Sequence, residues 1–234
     1  MTWLITNTAR EHHLAGPNVT SPLNVASLSE TAHALAQINR FTGHCVRPYS
    51  VAEHSLLVAD LMADMGHDSM GQLCGLMHDG HEIITGDVAS PVKEQLGDVW
   101  RQFEGIHQRA FLVGFGLQEE YVWYHQAIKR ADLIALATER RDLTLFDPLI
   151  HTPWPVIDTP GHEHPPSDQH DLDSDHRNAA TWETWAQLFE CRARGLMADI
   201  AREVRAPSPP SKKSKTAAAS TPTPAAGPGP PHSA

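Results

Sequence analysis

Residues 71–87 read GQLCGLMHDGHEIITGD, and His78-Asp79-Gly80-His81-Glu82 at their centre decide how the rest of the chain is read. Adjacent His78 and Asp79 offer an imidazole nitrogen and a carboxylate oxygen, a pair suited to a divalent transition metal. The pattern predicts a helix over about Ser69–Ile84. In it Glu82 falls one turn after His78 and three residues after Asp79, so it projects toward the same side. A carboxylate there can orient or deprotonate an attacking water without being a ligand. With sixteen histidines in the chain, one His-Asp pair proves little, so the question is what else completes a ligand set.

Upstream, Ser50-Val51-Ala52-Glu53 has capping-box spacing and Gly66 makes a C-terminal stop. His54 falls on the apolar stripe of that helix, with Val51, Val58, Leu61, Met62 and Met65. Before it, Ser27-Leu28-Ser29-Glu30 opens another helix, carried by Leu28, Ala32, Leu35 and Ile38 toward Arg40. Asn39–His44 is polar, contains Gly43 and reads as a loop. Residues 1–26 are an irregular arm broken by Pro17 and Pro22, with a short strand at Trp3–Ile5.

Downstream, Ser90 is placed as a cap with Pro91 in the first turn of a helix running toward Val113. A fifth helix, about Gln118–Leu145, puts Asp132 in register with His125, Ile128 and Ala135 on an inward face. A buried acid there needs a partner, either a metal or a cation such as Arg130. Glu139, Arg140, Arg141 and Asp142 are expected to be solvated. Residues 146–178, rich in Pro, His and Asp, read as an irregular solvated loop, and 179–205 as a last helix on Trp182, Trp185, Leu188, Phe189, Leu196 and Ile200. From Ala206 onward the Pro/Ala/Ser-rich composition predicts a disordered tail. The expectation is an all-α domain over residues 1–205, with its core at about 28–145.

Charge and cysteine content narrow the function. The formal net charge is −10, but residues 1–205 hold fifteen of the eighteen basic residues and all twenty-eight acids, a net charge of −13. Such a body repels a polynucleotide, so no nucleic-acid polymer is expected as partner, and no apolar run suggests a membrane span. Cys45, Cys74 and Cys191 form no CxxC pair. Together with the lack of a signal-peptide pattern, this points to a reducing, cytoplasmic setting. Homo-oligomerisation is left open.

Taken together, His54, His78, Asp79 and Asp132 come from three helices, as metal ligands in helical bundles do. The order H…HD…D, with Asn39-Arg40-Phe41, Tyr49 to Ser55, His78 to Glu82, Thr85-Gly86-Asp87, Pro91-Val92-Lys93 and Lys129 to Asp132, resembles the HD-domain phosphohydrolase superfamily. The resemblance covers about Leu28–Leu145. It is nearest to the bacterial 5′-deoxynucleotidase branch and to related phage deoxyadenosine triphosphohydrolases. It implies a helical HD-domain bundle with a metal site in its core: one divalent ion (Mn, Co, Zn or Mg) on His54, His78, Asp79 and Asp132. It further implies that Glu82 manages the attacking water and that Asp87 contacts a sugar 3′-hydroxyl. Arg40 and Phe41 would hold phosphate and sugar, and Lys93 would reach phosphate. A small-molecule nucleotide is then the expected substrate. Three rival readings stay in view. A guanosine-tetraphosphate hydrolase is disfavoured by Ile83 after Glu82. A two-metal cyclic-nucleotide phosphodiesterase would need further ligands such as His81, His107 or His125. The third rival is a silent protein that keeps only the fold.

Overall fold

The computed structural model describes residues 2–205; the expectation of a disordered tail at 206–234 lies outside them. The described chain is mostly helical, with one antiparallel hairpin of β1 (Trp3–Ile5) and β2 (Glu11–His13), in register Trp3 to His13. The arm is tied to α1 (Leu28–Leu35) through one carboxylate. Glu30 accepts hydrogen bonds from Thr6 and Thr8, pairs with Arg10, and closes a capping box with Ser27. The helix stops at Leu35, short of the expected Arg40, because the chain turns there into an antiparallel bridge between Asn39 and Ser50.

Among the described residues five further helices complete the bundle. Helix α2 (Val51–Asp64) starts at Ser50, whose hydroxyl accepts from the Glu53 N–H, and packs against α3 (Ser69–Leu76), α6 (Gln118–Leu143) and α9 (Trp182–Arg205). The core joins Leu35, Val51, Leu57, Val58, Met62, Leu76 and Met77 to Ile128, Ala135 and Phe189. Helix α5 (Ser90–Phe115) leans across the motif end of this bundle. Its N-cap is Ala89, without a side-chain cap, so Ser90 is already helical, and a break at Gly97 (φ 61°, ψ −139°) divides it. No helix among the described residues is long and apolar enough to cross a membrane.

The expected helix over 69–84 is two pieces. Helix α3 ends at Leu76, residues 77–81 form a turn, and α4 covers only Glu82–Thr85. Phe111 of α5 packs over this turn: a Cβ on Gly80 would lie 2.0 Å from its ring, so only glycine lets the turn pass beneath that aromatic side chain.

The segment 146–178 is more ordered than a solvated loop. It carries α7 (Pro155–Asp158) and α8 (Asp175–Asn178) and buries Ile157 and Leu172. Arg177 donates to Glu53, itself fully buried and also paired with Arg47, which in turn donates to the Leu172 carbonyl. Periodicity could not foresee this, because the anchors are single residues in a polar stretch.

Candidate metal centre

His54 sits in the first turn of α2, Asp132 in the middle of α6, and His78 and Asp79 in the turn after α3. The structure brings all four side chains together. His54 Nε2 lies 3.4 Å from His78 Nε2 and 3.3 Å from Asp132 Oδ1, while Asp79 Oδ2 is 3.1 Å from His78 Nε2 and 3.5 Å from His54 Nε2. One imidazole nitrogen from each of His54 and His78 and one Asp132 oxygen fall within 4.8 Å of one another, a spacing that fits a shared cation. Asp132 therefore turns to His54, not to Arg130.

The outer nitrogens explain why both Nε2 atoms face the centre. His78 Nδ1 donates to the Gly75 carbonyl at 2.7 Å, and His54 Nδ1 donates to Glu139 Oε1 at 2.5 Å. A backbone carbonyl and a carboxylate behind the two rings are the partners that fix tautomer and orientation in metal-ligating histidines. The donor set thus fits a divalent transition metal by its chemistry.

Glu139 corrects the expectation of a solvated residue. It is fully buried, and it holds His54 and Tyr49 on Oε1 and Arg40 on Oε2 at 3.1 Å. A signal was available, since Glu139 lies seven residues after Asp132 on the same face of α6. Its charged neighbours Arg140 and Asp142 are also engaged, with Asp158 and with the Leu172 N–H.

Arg40 reaches the centre from a tight turn, Arg40–Gly43, in which Phe41 (φ 53°) and Thr42 (φ 55°) are both left-handed. Its guanidinium lies 3.8 Å from Asp79 and 5.7 Å from the Phe41 ring centroid, and Phe41 faces Trp154. Asp87, in the loop after α4, is partly buried near Arg40, Asp79 and Lys93. Glu82 is buried but hydrogen-bonds none of the four clustered side chains; its Oε2 has no partner and its Oε1 is 3.9 Å from Lys93. Of the nine residues singled out, four form the cluster and five surround it. A separate cleft of about 490 Å³ lies behind α4, between His12, His81, His107 and Phe111, and takes in none of the four.

Electrostatics follow the geometry. Burial works against ionised Asp79, yet His78, His54 and Arg40 hold its carboxyl well below the usual range. Burial, then the charges of Asp79 and Asp87, push Glu82 well above it. Burial and Arg40 oppose a proton on His54, but Glu139 and Asp132 carry it up to about 9. A proton and a metal therefore compete for His54 Nε2 below that pH. Metal binding at pH 7.5 is expected to release about one proton from His54, and affinity should rise roughly tenfold per pH unit between 6.5 and 8. Calorimetric titration of the metal-stripped protein with Mn²⁺, in buffers of different ionisation heat, measures this. Binding without proton release would contradict it.

The comparisons with known proteins bear on kinship. No protein-family profile matches the chain. Over 132 residues it is 36% identical to the uncharacterized protein YfdR of Escherichia coli (strain K12), an alignment spanning 56% of this chain and 67% of YfdR. The chain belongs to the YfdR family. A second relative, the uncharacterized protein RCAP_rcc00048 of Rhodobacter capsulatus, is 31% identical over 147 residues, spanning 58% of this chain and 74% of its own length. YfdR-family kinship brings no activity with it, so the chemistry must be argued from the centre itself.

Proposed function

We propose that this protein is a metal-dependent HD-domain phosphohydrolase of deoxynucleoside 5′-phosphates, mono- or triphosphate, working in the cytoplasm. The observation that supports it most is the backing of the two clustered imidazoles. His54 Nε2 faces Asp79 and Asp132 and His78 Nε2 faces Asp79, while each Nδ1 is tied, one to Glu139 and one to Gly75, beside a carboxyl, Glu82, that hydrogen-bonds none of the four. When bound, a divalent ion at His54, His78, Asp79 and Asp132 supplies positive charge against phosphoryl oxygens and acidifies water.

The remaining work falls to the chain's own side chains. Glu82 holds the attacking water and takes its proton as the new O–P bond forms and the bond from phosphorus to the sugar 5′-oxygen breaks, that oxygen leaving with a proton from solvent. Burial and the charges of Asp79 and Asp87 raise the proton affinity of Glu82, in the direction a general base needs. Arg40 offers its guanidinium to the phosphate and its neighbour Phe41 offers a ring to the sugar. Lys93 adds a second cation from the first turn of α5. Asp87 accepts a hydrogen bond from the 3′-hydroxyl, and a close fit there excludes a 2′-hydroxyl. The test is a screen of deoxy- and ribonucleoside mono- and triphosphates with Mn²⁺, Co²⁺, Zn²⁺ and Mg²⁺, identifying the products. No metal-dependent turnover of any of them would remove the proposal.

Asp87→Ala is expected to lower kcat/KM on the preferred deoxynucleotide by roughly ten- to a hundred-fold, the loss of one charged hydrogen bond worth about 1.5–3 kcal/mol. The variant should respond much less than wild type when the substrate lacks its 3′-hydroxyl. Equal wild-type rates on 2′,3′-dideoxynucleotides and deoxynucleotides would show that Asp87 does not read the sugar.

A further inference from the structure

We propose that His81, Glu82 and Glu104 form a second divalent-cation site, next to the first and on the α5 side of α4. One ring nitrogen of His81 and one carboxylate oxygen each from Glu82 and Glu104 lie within 4.8 Å of one another. His81 and Glu82 come from the turn into α4 and Glu104 from the middle of α5, so two elements packed on each other converge on the spot.

The strongest sign is what these groups lack. His81 is only 4% exposed and neither of its ring nitrogens has a hydrogen-bond partner; its Nε2 stands 3.7 Å from Glu104 Oε1, too far for a bond. Glu82 is 2% exposed and its Oε2 is equally without a partner. Buried polar groups are normally satisfied, and two such residues side by side, one carboxylate and one imidazole, suit the same missing partner, a metal ion.

Charge points the same way. Six carboxylates meet around the motif, those of Asp79, Glu82, Asp87, Glu104, Asp132 and Glu139, against the cations Arg40 and Lys93. A single divalent ion in the first site leaves two of the six carboxyl groups without a compensating cation. This count rests on that first site holding an ion, though not on any hydrolase activity. Lys93 marks the place as a cation position: its ammonium is 2.6 Å from Glu104 and 3.9 Å from Glu82. It satisfies Glu104 but not His81. Its side chain is 30% exposed, so it can withdraw toward solvent when a divalent ion enters. One nitrogen and two carboxylates suit Mn²⁺, Co²⁺ or Zn²⁺ better than Mg²⁺ or Ca²⁺.

The experiment is a metal count on the full chain, equilibrated with Mn²⁺, freed of excess and analysed by elemental analysis, with thermal melts to confirm folding. Wild type is expected to hold two Mn²⁺ per chain, and His81→Ala and the isosteric Glu104→Gln one each. Asp132→Ala should lose only the first ion. Lys93→Met should keep two and bind the second more tightly, because a competing cation is gone. One ion per chain in wild type overturns the proposal, even if Lys93→Met reaches two, since Lys93 is then the resident cation. Two ions retained in both His81→Ala and Glu104→Gln overturns it as well. Because the count needs no turnover, failure here is separable from failure of the hydrolase reading.

Discussion

Replacing Glu82 by Ala is expected to lower kcat by about 10²–10⁴-fold, the usual contribution of a general acid–base group, while an ion on His54, His78, Asp79 and Asp132 stays bound and one on His81, Glu82 and Glu104 is lost; His81→Ala, which loses the second ion alone, separates the two effects. The expectation follows from position. Glu82 is buried three residues after Asp79 and feels its charge, yet it hydrogen-bonds none of the four cluster members, and its proton affinity is raised. Stability should not fall, because the substitution removes a carboxyl that burial already disfavours. Steady-state kinetics on the nucleotide found by the screen, with metal analysis of the same preparation, decides it. A variant with near-normal kcat would make Glu82 a structural residue.

The second large effect is expected at Glu139. Its carboxylate neutralises His54 and Arg40 and accepts from the Tyr49 hydroxyl; Glu139, His54 and Tyr49 are fully buried and Arg40 mostly so. Removing one partner from a buried ionic network leaves the others uncompensated and costs about 3–5 kcal/mol. Glu139→Ala should therefore unfold well below wild type. It should also weaken Mn²⁺ binding by about 10–100-fold, since His54 loses the group that orients it. Glu139→Gln keeps the shape and one acceptor, and should fall between the two. Melting and Mn²⁺ titration of both variants measure these effects. A Glu139→Ala protein as stable as wild type would mean that His54 and Arg40 find other partners.

The helical character and most helix positions were legible because apolar spacing, the capping box at Ser27 and the hydroxyl cap at Ser50 act locally. The cluster was legible too, since His54 and Asp132 each interrupt an apolar stripe that the structure buries. What escaped detection depends on tertiary contact. Glu139 stands beside Arg140, Arg141 and Asp142, and composition cannot separate one inward acid from a charged helix end. The break after Leu76 escaped because Gly80 is dictated by Phe111, thirty-one residues away in sequence. Glu104 carries no local mark at all; its interest arises only where α5 crosses α4.

The attachment of the N-terminal hairpin has a consequence for the order in which acid takes the molecule apart. Burial disfavours ionised Glu30, but its bonds to Thr8, Ser27 and Thr6 and the charge of Arg10 hold its carboxyl down at about 2. A carboxyl depressed in this way contributes fully above its unfolded value near 4.5, and the contribution is lost progressively as pH falls from there through about 2. His54 behaves oppositely, gaining its proton from about pH 9 downward, in competition with the ion proposed there. Acidification should therefore strip the metal centre while the hairpin is still fastened to α1, so the first acid form is a demetallated protein with its arm in place.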